Sequence, residues 1–239
     1  MAFYDSDKAN SLLSSFLLTA ILWSILLGGL LTWNIRTELH QTIVQATHQT
    51  RTFFKEFLLA RFWNFLHGGV YVPISEETPP NPYLDEAERV IVTTDGQRLA
   101  KINPAYMTRQ IAAIAAKRGE FSFHITGLHI INPENNPDPW EENALKEFKE
   151  GGQEYYEMLE TKQGEKEFRY MGALVYEESC LPCHSEYGCK AGDVSGGISV
   201  SMPSKPLIDP QNQQIRILIV AYASFGYWES ADSDFSFKN

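Results

Sequence analysis

The longest apolar stretch of the chain is residues 11–33, in which no charged side chain occurs. A helix rises 1.5 Å per residue, so this stretch is long enough to span the roughly 30 Å hydrocarbon core of a bilayer. It is longer than the apolar core of a cleaved signal peptide, and Trp33-Asn34-Ile35-Arg36 follows it instead of a small-residue cleavage site. We therefore predict a membrane anchor over residues 1–34, with the transmembrane helix at about 11–33. The flanking charges are too balanced to set its orientation.

Residues 36–66 contain neither glycine nor proline and predict one long helix beyond the membrane. A series of mostly apolar residues runs from Leu39 to His67 at alternating steps of four and three, the spacing of a helix seam. A second apolar stripe from Phe54 to Phe65 makes the distal half apolar on two sides. Two interpretations stay open: the helix packs onto its own domain, or it forms a homodimer with a second copy. Each can hold for a different half.

The rest of the pattern alternates short strands and short helices. Glycines at 68 and 69 end the long helix, and a proline-rich loop follows. The predicted elements are a hairpin at 89–94 and 97–102 around Asp95-Gly96, a helix from 104 to about 117, a strand at 121–131, a helix from 138 to 150, a hairpin at 155–160 and 166–176, and a strand at 197–202. The helix at 138 has a strong start signal, with Asp138 as the N-cap, Pro139 at the first position and Glu141 at the third. This order predicts an α+β domain over residues 35–205, with a PAS-like antiparallel sheet and flanking helices. The PAS label rests partly on analogy.

The last segment, residues 206–239, has two interpretations. Residues 215–228 are apolar apart from Arg216, yet too few to span a membrane comfortably. The segment is either a core or interfacial element, or a truncated second membrane segment.

Composition restricts the partners and the chemistry. With 20 basic and 30 acidic residues, the net charge is −10, and no basic run exists to neutralise phosphates. Nucleic acid is therefore excluded as a partner. The three cysteines, Cys180, Cys183 and Cys189, lie within ten residues of one another, whereas a disulfide framework spreads its cysteines along the chain. A local cluster favours a cofactor.

Cys180-Leu181-Pro182-Cys183-His184 is a C-x-x-C-H sequence. Two thiols at this spacing can add to the two vinyl groups of one haem, and the next residue supplies an imidazole to the iron. We predict one covalently attached haem c, with thioether links at Cys180 and Cys183 and His184 as the proximal iron ligand. The alternatives are a redox dithiol or simple disulfide, and a zinc site that adds Cys189 and a distant histidine.

Haem attachment of this type occurs outside the cytoplasm, so we predict a single-pass inner-membrane protein with its haem domain in the periplasm. The distal iron ligand stays open. The candidates are His40, His48, His67, His124, His129 and Met107. We favour His67, because the glycines beside it allow close backbone approach to a flat macrocycle. Met107 and a vacant or water-bound position come next. Arg61, Arg109 and Arg169 are candidate partners of the haem propionates.

Four blocks of the sequence, residues 61–84, 102–110, 123–141 and 180–200, resemble the bacterial haem-c PAS domains once known only as a domain of unknown function. The resemblance covers roughly residues 35–203. It implies an extracytoplasmic domain with one covalent haem c, often the input domain of a histidine kinase, and a role in redox or gas sensing. It supports the same assignments for Cys180, Cys183 and His184. Cys189 departs from the expected pattern, and no kinase or other output region follows.

The expected function is a membrane-anchored c-type haem protein acting as a redox or gas sensor input domain without its own output module. Its partners would be the membrane, a second copy through the long helix, and a small diatomic gas or a redox protein. The alternative is an electron-transfer c-type cytochrome, and a structural zinc module is a third class. We expect no enzymatic activity, because no nucleophile–base pair or carboxylate constellation is discernible.

Overall fold

The computed structural model describes residues 2–119, 121–161, 164–178 and 188–236, and the chain is α+β, as predicted. The helices are α1 (Ala2–Leu66), α2 (Glu86–Arg89), α3 (Pro104–Arg118), α4 (Pro139–Lys149) and α5 (Lys205–Ser236), with a 3₁₀ turn at Pro133–Asn135. The strands are β1 (Val70–Pro73), β2 (Val90–Val92), β3 (Arg98–Ile102), β4 (Ser122–Gly127), β5 (Glu154–Glu160), β6 (Lys166–Val175) and β7 (Val194–Pro203).

The chain divides into two units, and the first consists of Met1–Gln45 and Pro206–Asn239. Within it, Asn34 Nδ2 donates to the Tyr222 hydroxyl at 2.8 Å, and Gln211 Nε2 donates to Thr42 Oγ1 at 2.8 Å. These pairs run in opposite directions along the two helices, so α1 and α5 are antiparallel here. Of the described helices, α1 alone is long and apolar enough to cross a membrane, with a mean hydropathy of 2.0 in its most apolar window. A signal sequence near the N-terminus can have the same length and hydropathy, so these two properties alone do not distinguish it from a membrane span.

The second unit, Ala46–Lys205, contains two antiparallel sheets in the described residues where the sequence pattern predicted one. A small sheet has the order β1-β3-β2, and a larger one has the order β4-β7-β6-β5. Both predicted hairpins form, β2 with β3 and β5 with β6. The strand β7 pairs with β4 and β6 and so lies inside the larger sheet.

The second half of α1 covers one face of the larger sheet. The Phe54 ring lies so close to Gly172 of β6 that a Cβ there would overlap it. The same ring meets Tyr170 edge-on at 6.0 Å between centroids, and the Phe57 ring stacks on Phe123 of β4 at 5.1 Å. This half of the long helix therefore packs onto its own domain, one of the two predicted interpretations.

The helix α4 covers the opposite face. Its Ala144, Leu145 and Phe148 are buried with Met171 of β6. The predicted helix start is confirmed: Asp138 is the N-cap, Pro139 follows at the first helical position, and Glu141 completes a capping box.

Two boundaries differ from the sequence prediction. Residues 70–73 were predicted as loop because of Pro73, but they form β1, an edge strand, where a proline costs no ladder hydrogen bond. The strand β4 ends at Gly127 instead of continuing to 131. The glycine stop of α1 is confirmed, since Gly68 and Gly69 have φ of 69° and 100°.

Candidate functional site

The C-x-x-C-H motif belongs to the connection between β6 and β7. Its predicted haem-binding residues, Cys180, Cys183 and His184, lie outside the described residues. The described ends of this connection are joined by backbone hydrogen bonds. The N–H of Tyr176 donates to the carbonyl of Asp193 at 2.9 Å, and the N–H of Gly192 donates to the carbonyl of Tyr176 at 2.8 Å. The two ends of the motif-bearing connection are therefore held together where β6 ends and β7 begins, at the ends of the two inner strands of the larger sheet.

A cavity of about 540 Å³ opens at this position. We call it the motif cavity, because Tyr176, Gly188 and Cys189 line it from the two described ends of the connection. Its apolar wall comes from Leu128, Phe148, Val175 and Val194. Phe148 belongs to the buried core, and Leu128 and Val194 pack against that core, so this wall is rigidly supported. The volume is within the range of about 300–1,000 Å³ that is typical of ligand and cofactor pockets.

Polar side chains stand around the same cavity. His129 follows the end of β4, Lys149 ends α4, and Asp193 precedes β7. All three are solvent-exposed, and Cys189 is half-buried. The motif cavity thus combines an apolar wall with an imidazole, an ammonium group and a carboxylate on its open side.

Neither favoured distal ligand, His67 or Met107, is among the described residues that line the motif cavity. His67 is exposed beyond the end of α1; its ring lies 4.3 Å from that of Trp63, and its Nδ1 lies 2.8 Å from the Trp63 carbonyl. The Met107 sulfur accepts from Asn64 Nδ2 at 3.8 Å, between α3 and α1. Both predictions stay open, and His129 is the candidate histidine that the structure brings to the cavity.

The other candidate histidines occupy different environments. His40 and His48 are exposed on α1. His124 of β4 lies in a buried charge network: its Nδ1 is 2.9 Å from each carboxylate oxygen of Glu141, and its Nε2 is 2.9 Å from the Glu134 carbonyl. Because acceptors face both ring nitrogens, both must donate, and His124 is an imidazolium with no lone pair for a metal.

Glu141 is the centre of this network and is fully buried. Its carboxylate accepts from His124, from the Ser199 hydroxyl, from the Asp138 backbone N–H at 3.1 Å and from Arg169 Nη2 at 2.9 Å. Burial alone would raise the pKa of Glu141, but hydrogen bonds from His124 and Ser199 outweigh it and lower the pKa. The hydrogen bond to Glu141 raises the pKa of His124 above its usual 6.5. Both shifts favour the charged forms of the two groups.

The three arginines predicted to meet haem propionates have other partners. Arg61 donates to the Pro104 carbonyl at 3.1 Å and to Thr108 Oγ1 at 2.6 Å. Arg169 pairs with Asp138 at 2.6 Å as well as with Glu141, and lies over the Trp140 ring. None of the three lines the described part of the motif cavity, where Lys149 is the basic residue.

His129 was one of six candidate distal ligands but not a favoured one, because the sequence pattern placed it within a strand; β4 ends two residues before it. No sequence signal pointed to Lys149 as a cavity residue or to a role of Glu141 beyond the helix cap. The signal for Glu141 was present in the capping box. No local pattern, however, reports that a capping glutamate also meets a histidine 17 residues away in sequence.

An α+β domain in which the described ends of a C-x-x-C-H connection line a cavity has the features of a cofactor-binding domain. The Tll0287-like family model matches residues 36–203, and the chain belongs to this family. The match confirms the family resemblance drawn from the four sequence blocks. The crystal structure of the cyanobacterial haem protein Tll0287 is similar at 18% sequence identity and a TM-score of 0.43, over 66% of this chain and 95% of that chain. No curated protein matches the sequence significantly.

Proposed function

We propose that this chain is a membrane-anchored c-type haem protein that acts as a redox or gas sensor input domain. The observation that supports this most is the C-x-x-C-H motif in a connection whose described ends line the motif cavity. Cys180 and Cys183 would carry the thioether links, and His184 would be the proximal ligand. The haem would supply a redox-active iron that can also bind small diatomic molecules.

The residues of the motif cavity fit such a group. A haem is a flat apolar ring with two propionates at one edge, and the cavity offers an apolar wall and an exposed ammonium group at Lys149. A carboxylate–lysine pair on an open edge suits the propionates, since neither partner must be fully desolvated. We propose His129 as the second axial ligand, because it lines this cavity and its imidazole is a ligand suited to iron.

Visible absorption and electron paramagnetic resonance spectra test this ligand assignment. The expected result is that His129→Ala changes the iron from low-spin to high-spin, while His67→Ala leaves the spectra unchanged. The reverse result would assign the ligand to His67, as favoured from sequence, and no change in either variant would support Met107 or an open position.

A connected set of contacts leads from the cavity to the long helix. Gln153 lines the motif cavity, and the next residue, Glu154, forms a two-point ion pair with Arg51 of α1, whose Nε lies 2.7 Å from Oε2. Tyr170 on the neighbouring strand donates its hydroxyl to the same carboxylate at 3.1 Å. We propose that a change at the iron shifts the start of β5 and, through this ion pair, α1.

Spin labels on α1 test this transmission in the full-length protein in detergent. Label distances in wild type are expected to differ between oxidised and reduced haem. Arg51→Gln is expected to abolish the difference without changing the haem spectrum, and Glu56→Gln, which changes the charge of an exposed residue on the same helix, is expected to keep it. Equal label distances in both redox states of wild type would remove the sensing proposal.

An electron-transfer role is the second candidate. The observation that favours it is the exposure of His129 and Lys149 at the mouth of the motif cavity, which would leave a haem edge accessible to a redox partner. Reversible electron exchange with unchanged α1 distances and no ligand binding would support this function over sensing.

Anchoring and assembly are parts of the same proposal. Residues 11–33 would hold α1 in the inner membrane, and covalent haem attachment would place residues 46–205 in the periplasm. Leu59, Trp63 and Leu66 are more than half exposed on α1 at steps of four and three. This spacing suits a homodimer through the long helix. A single molecular mass equal to one chain, measured in detergent at all concentrations, would count against the dimer.

A further inference from the structure

A second cavity, of about 170 Å³, lies between α3 and the edge strand β4. It shares none of its described lining residues with the motif cavity. Its walls are Thr108, Arg109 and Ala112 of α3, residues 123–125 of β4, and Glu134 and Asn135 of the 3₁₀ turn. We call it the Arg109 cavity.

The guanidinium of Arg109 is held in place without an ion-pair partner among the described residues. Its Nη2 donates to Asn81 Oδ1 at 3.2 Å, and the group lies 5.7 Å from the Tyr83 ring centre and 5.3 Å from that of Tyr106. Within the described part of the chain, the Asn81 oxygen is the one acceptor that this guanidinium meets. A partly buried arginine fixed between two rings, with N–H groups left to donate, is prepared to receive an acceptor from the cavity.

The charges and surfaces around the Arg109 cavity favour an anion with an apolar end. The titratable side chains that line it are Arg109, His124 and Glu134. The His124 charge is balanced by the buried Glu141, and both its ring nitrogens already face acceptors. The Glu134 carboxylate is an electrostatic neighbour of Arg109. Arg109 is therefore the lining cation with N–H groups left to donate. Ala112 and the residues flanking His124 on β4, Phe123 and Ile125, supply the apolar surface.

The volume limits the size of this anion. A water molecule takes about 30 Å³ of liquid volume, so about 170 Å³ corresponds to roughly five or six water-sized groups. That space is filled by a carboxylate with one or two carbons attached.

Three of the four sequence blocks that carry the family resemblance contribute residues to the Arg109 cavity or contact Arg109, and none of these residues has a role in the proposed haem site. Asn81 and Tyr83 come from the block at 61–84, Tyr106 and Arg109 from that at 102–110, and His124 from that at 123–141. Three separate segments of the chain thus place and surround a single guanidinium.

We propose that the Arg109 cavity binds a short-chain monocarboxylate of the acetate class, with its carboxylate on Arg109 and its alkyl end against Ala112 and Phe123. The planar fork of the guanidinium matches a carboxylate at two points. The chain would then receive a small metabolite at a site separate from its haem.

Equilibrium dialysis of radiolabelled acetate against the full-length haem protein in detergent tests this proposal. Wild type is expected to bind one acetate per chain saturably, at a concentration below about 10 mM. Arg109→Gln is expected to weaken binding at least tenfold. Arg118→Gln removes the same charge from an exposed position of the same helix and is expected to bind as wild type does.

A second variant keeps the test decisive if Arg109→Gln fails to fold. Ala112→Leu fills the Arg109 cavity without changing its charge and is expected to abolish acetate binding while the far-ultraviolet circular dichroism stays as in wild type. Three results would overturn the proposal: no saturable binding to wild type, equal loss in Arg118→Gln, or displacement of acetate by chloride as effectively as by propionate.

Discussion

Replacing Glu141 by Gln removes the one carboxylate on which the buried network converges. Four donors meet that carboxylate, and glutamine can accept from only part of them and adds an N–H₂ of its own. His124 can release its proton to reduce the mismatch, and Arg169 keeps Asp138 as a partner. The loss should therefore lie at the lower end of the range for broken buried ion pairs, about 3 kcal/mol.

The assay is thermal unfolding of the full-length protein in detergent, followed by far-ultraviolet circular dichroism. For a domain of this size the loss corresponds to a melting temperature lower by roughly 6–12 °C. Glu142→Gln is the matched control, because it makes the same change at the next, exposed position of α4 and should cost no more than about 0.5 kcal/mol. Equal melting temperatures for the two variants would refute the reasoning that Glu141 stabilises the fold as a buried anion.

Three further predictions concern the larger sheet and the cavity beside it. The His124 imidazolium contributes stability that is fully present below its unfolded pKa near 6.5 and is lost as pH rises through its raised folded pKa. The Glu141 carboxylate contributes stability that is fully present above its unfolded pKa of 4.5 and is lost as pH falls through its lowered folded pKa. Melting temperatures should thus be highest between these limits, and His124→Gln should flatten the alkaline side. Gly196→Ala should destabilise by about 1–3 kcal/mol, because a Cβ there meets the Thr126 carbonyl of the paired strand, where neither backbone can yield. Lys149→Gln removes a positive charge from the motif cavity, where we propose that the haem propionates lie. It should therefore lower the affinity for an anionic redox partner or shift the haem potential, and it should leave the melting temperature unchanged.

Each of these outcomes has a clear opposite. An alkaline limb of the pH profile that is the same in His124→Gln and in wild type would show that His124 is not the group that titrates. Wild-type stability of Gly196→Ala would mean that β4 and β7 are farther apart than the structure shows. A haem potential and partner affinity untouched by Lys149→Gln would separate this side chain from the haem.

The sequence predicted correctly those helix ends and turns that depend on a cap residue or a glycine at one position. Asp138 and Glu141 cap α4, Gly68 and Gly69 end α1, and Gly96, with φ of 85°, turns the β2–β3 hairpin, all as read from sequence. These features depend on a few neighbouring residues, and the sequence displays them directly.

What the sequence could not predict depends on partners distant along the chain. The division into two sheets follows from which strands pair, and Pro73 concealed β1 because an edge position can be recognised only once β3 is its neighbour. The motif could be read directly from the sequence, but the motif cavity is built by Leu128 after β4, Phe148 of α4 and Val194 of β7, which are distant along the chain. His129 lines the cavity because β4 ends at Gly127, whereas the alternating pattern predicted a strand to residue 131.

Covalent attachment of haem at Cys180 and Cys183 is the central claim, and a pyridine haemochrome spectrum tests it most directly. The full-length protein would be made in cells with cytochrome c maturation, and the spectrum taken after acid–acetone extraction. A c-type spectrum that stays with the polypeptide, and is lost when both cysteines are replaced by alanine, is the predicted result. A colourless polypeptide from competent cells, or haem that leaves with the solvent, would contradict the account and make metal analysis of the cysteine cluster the next step.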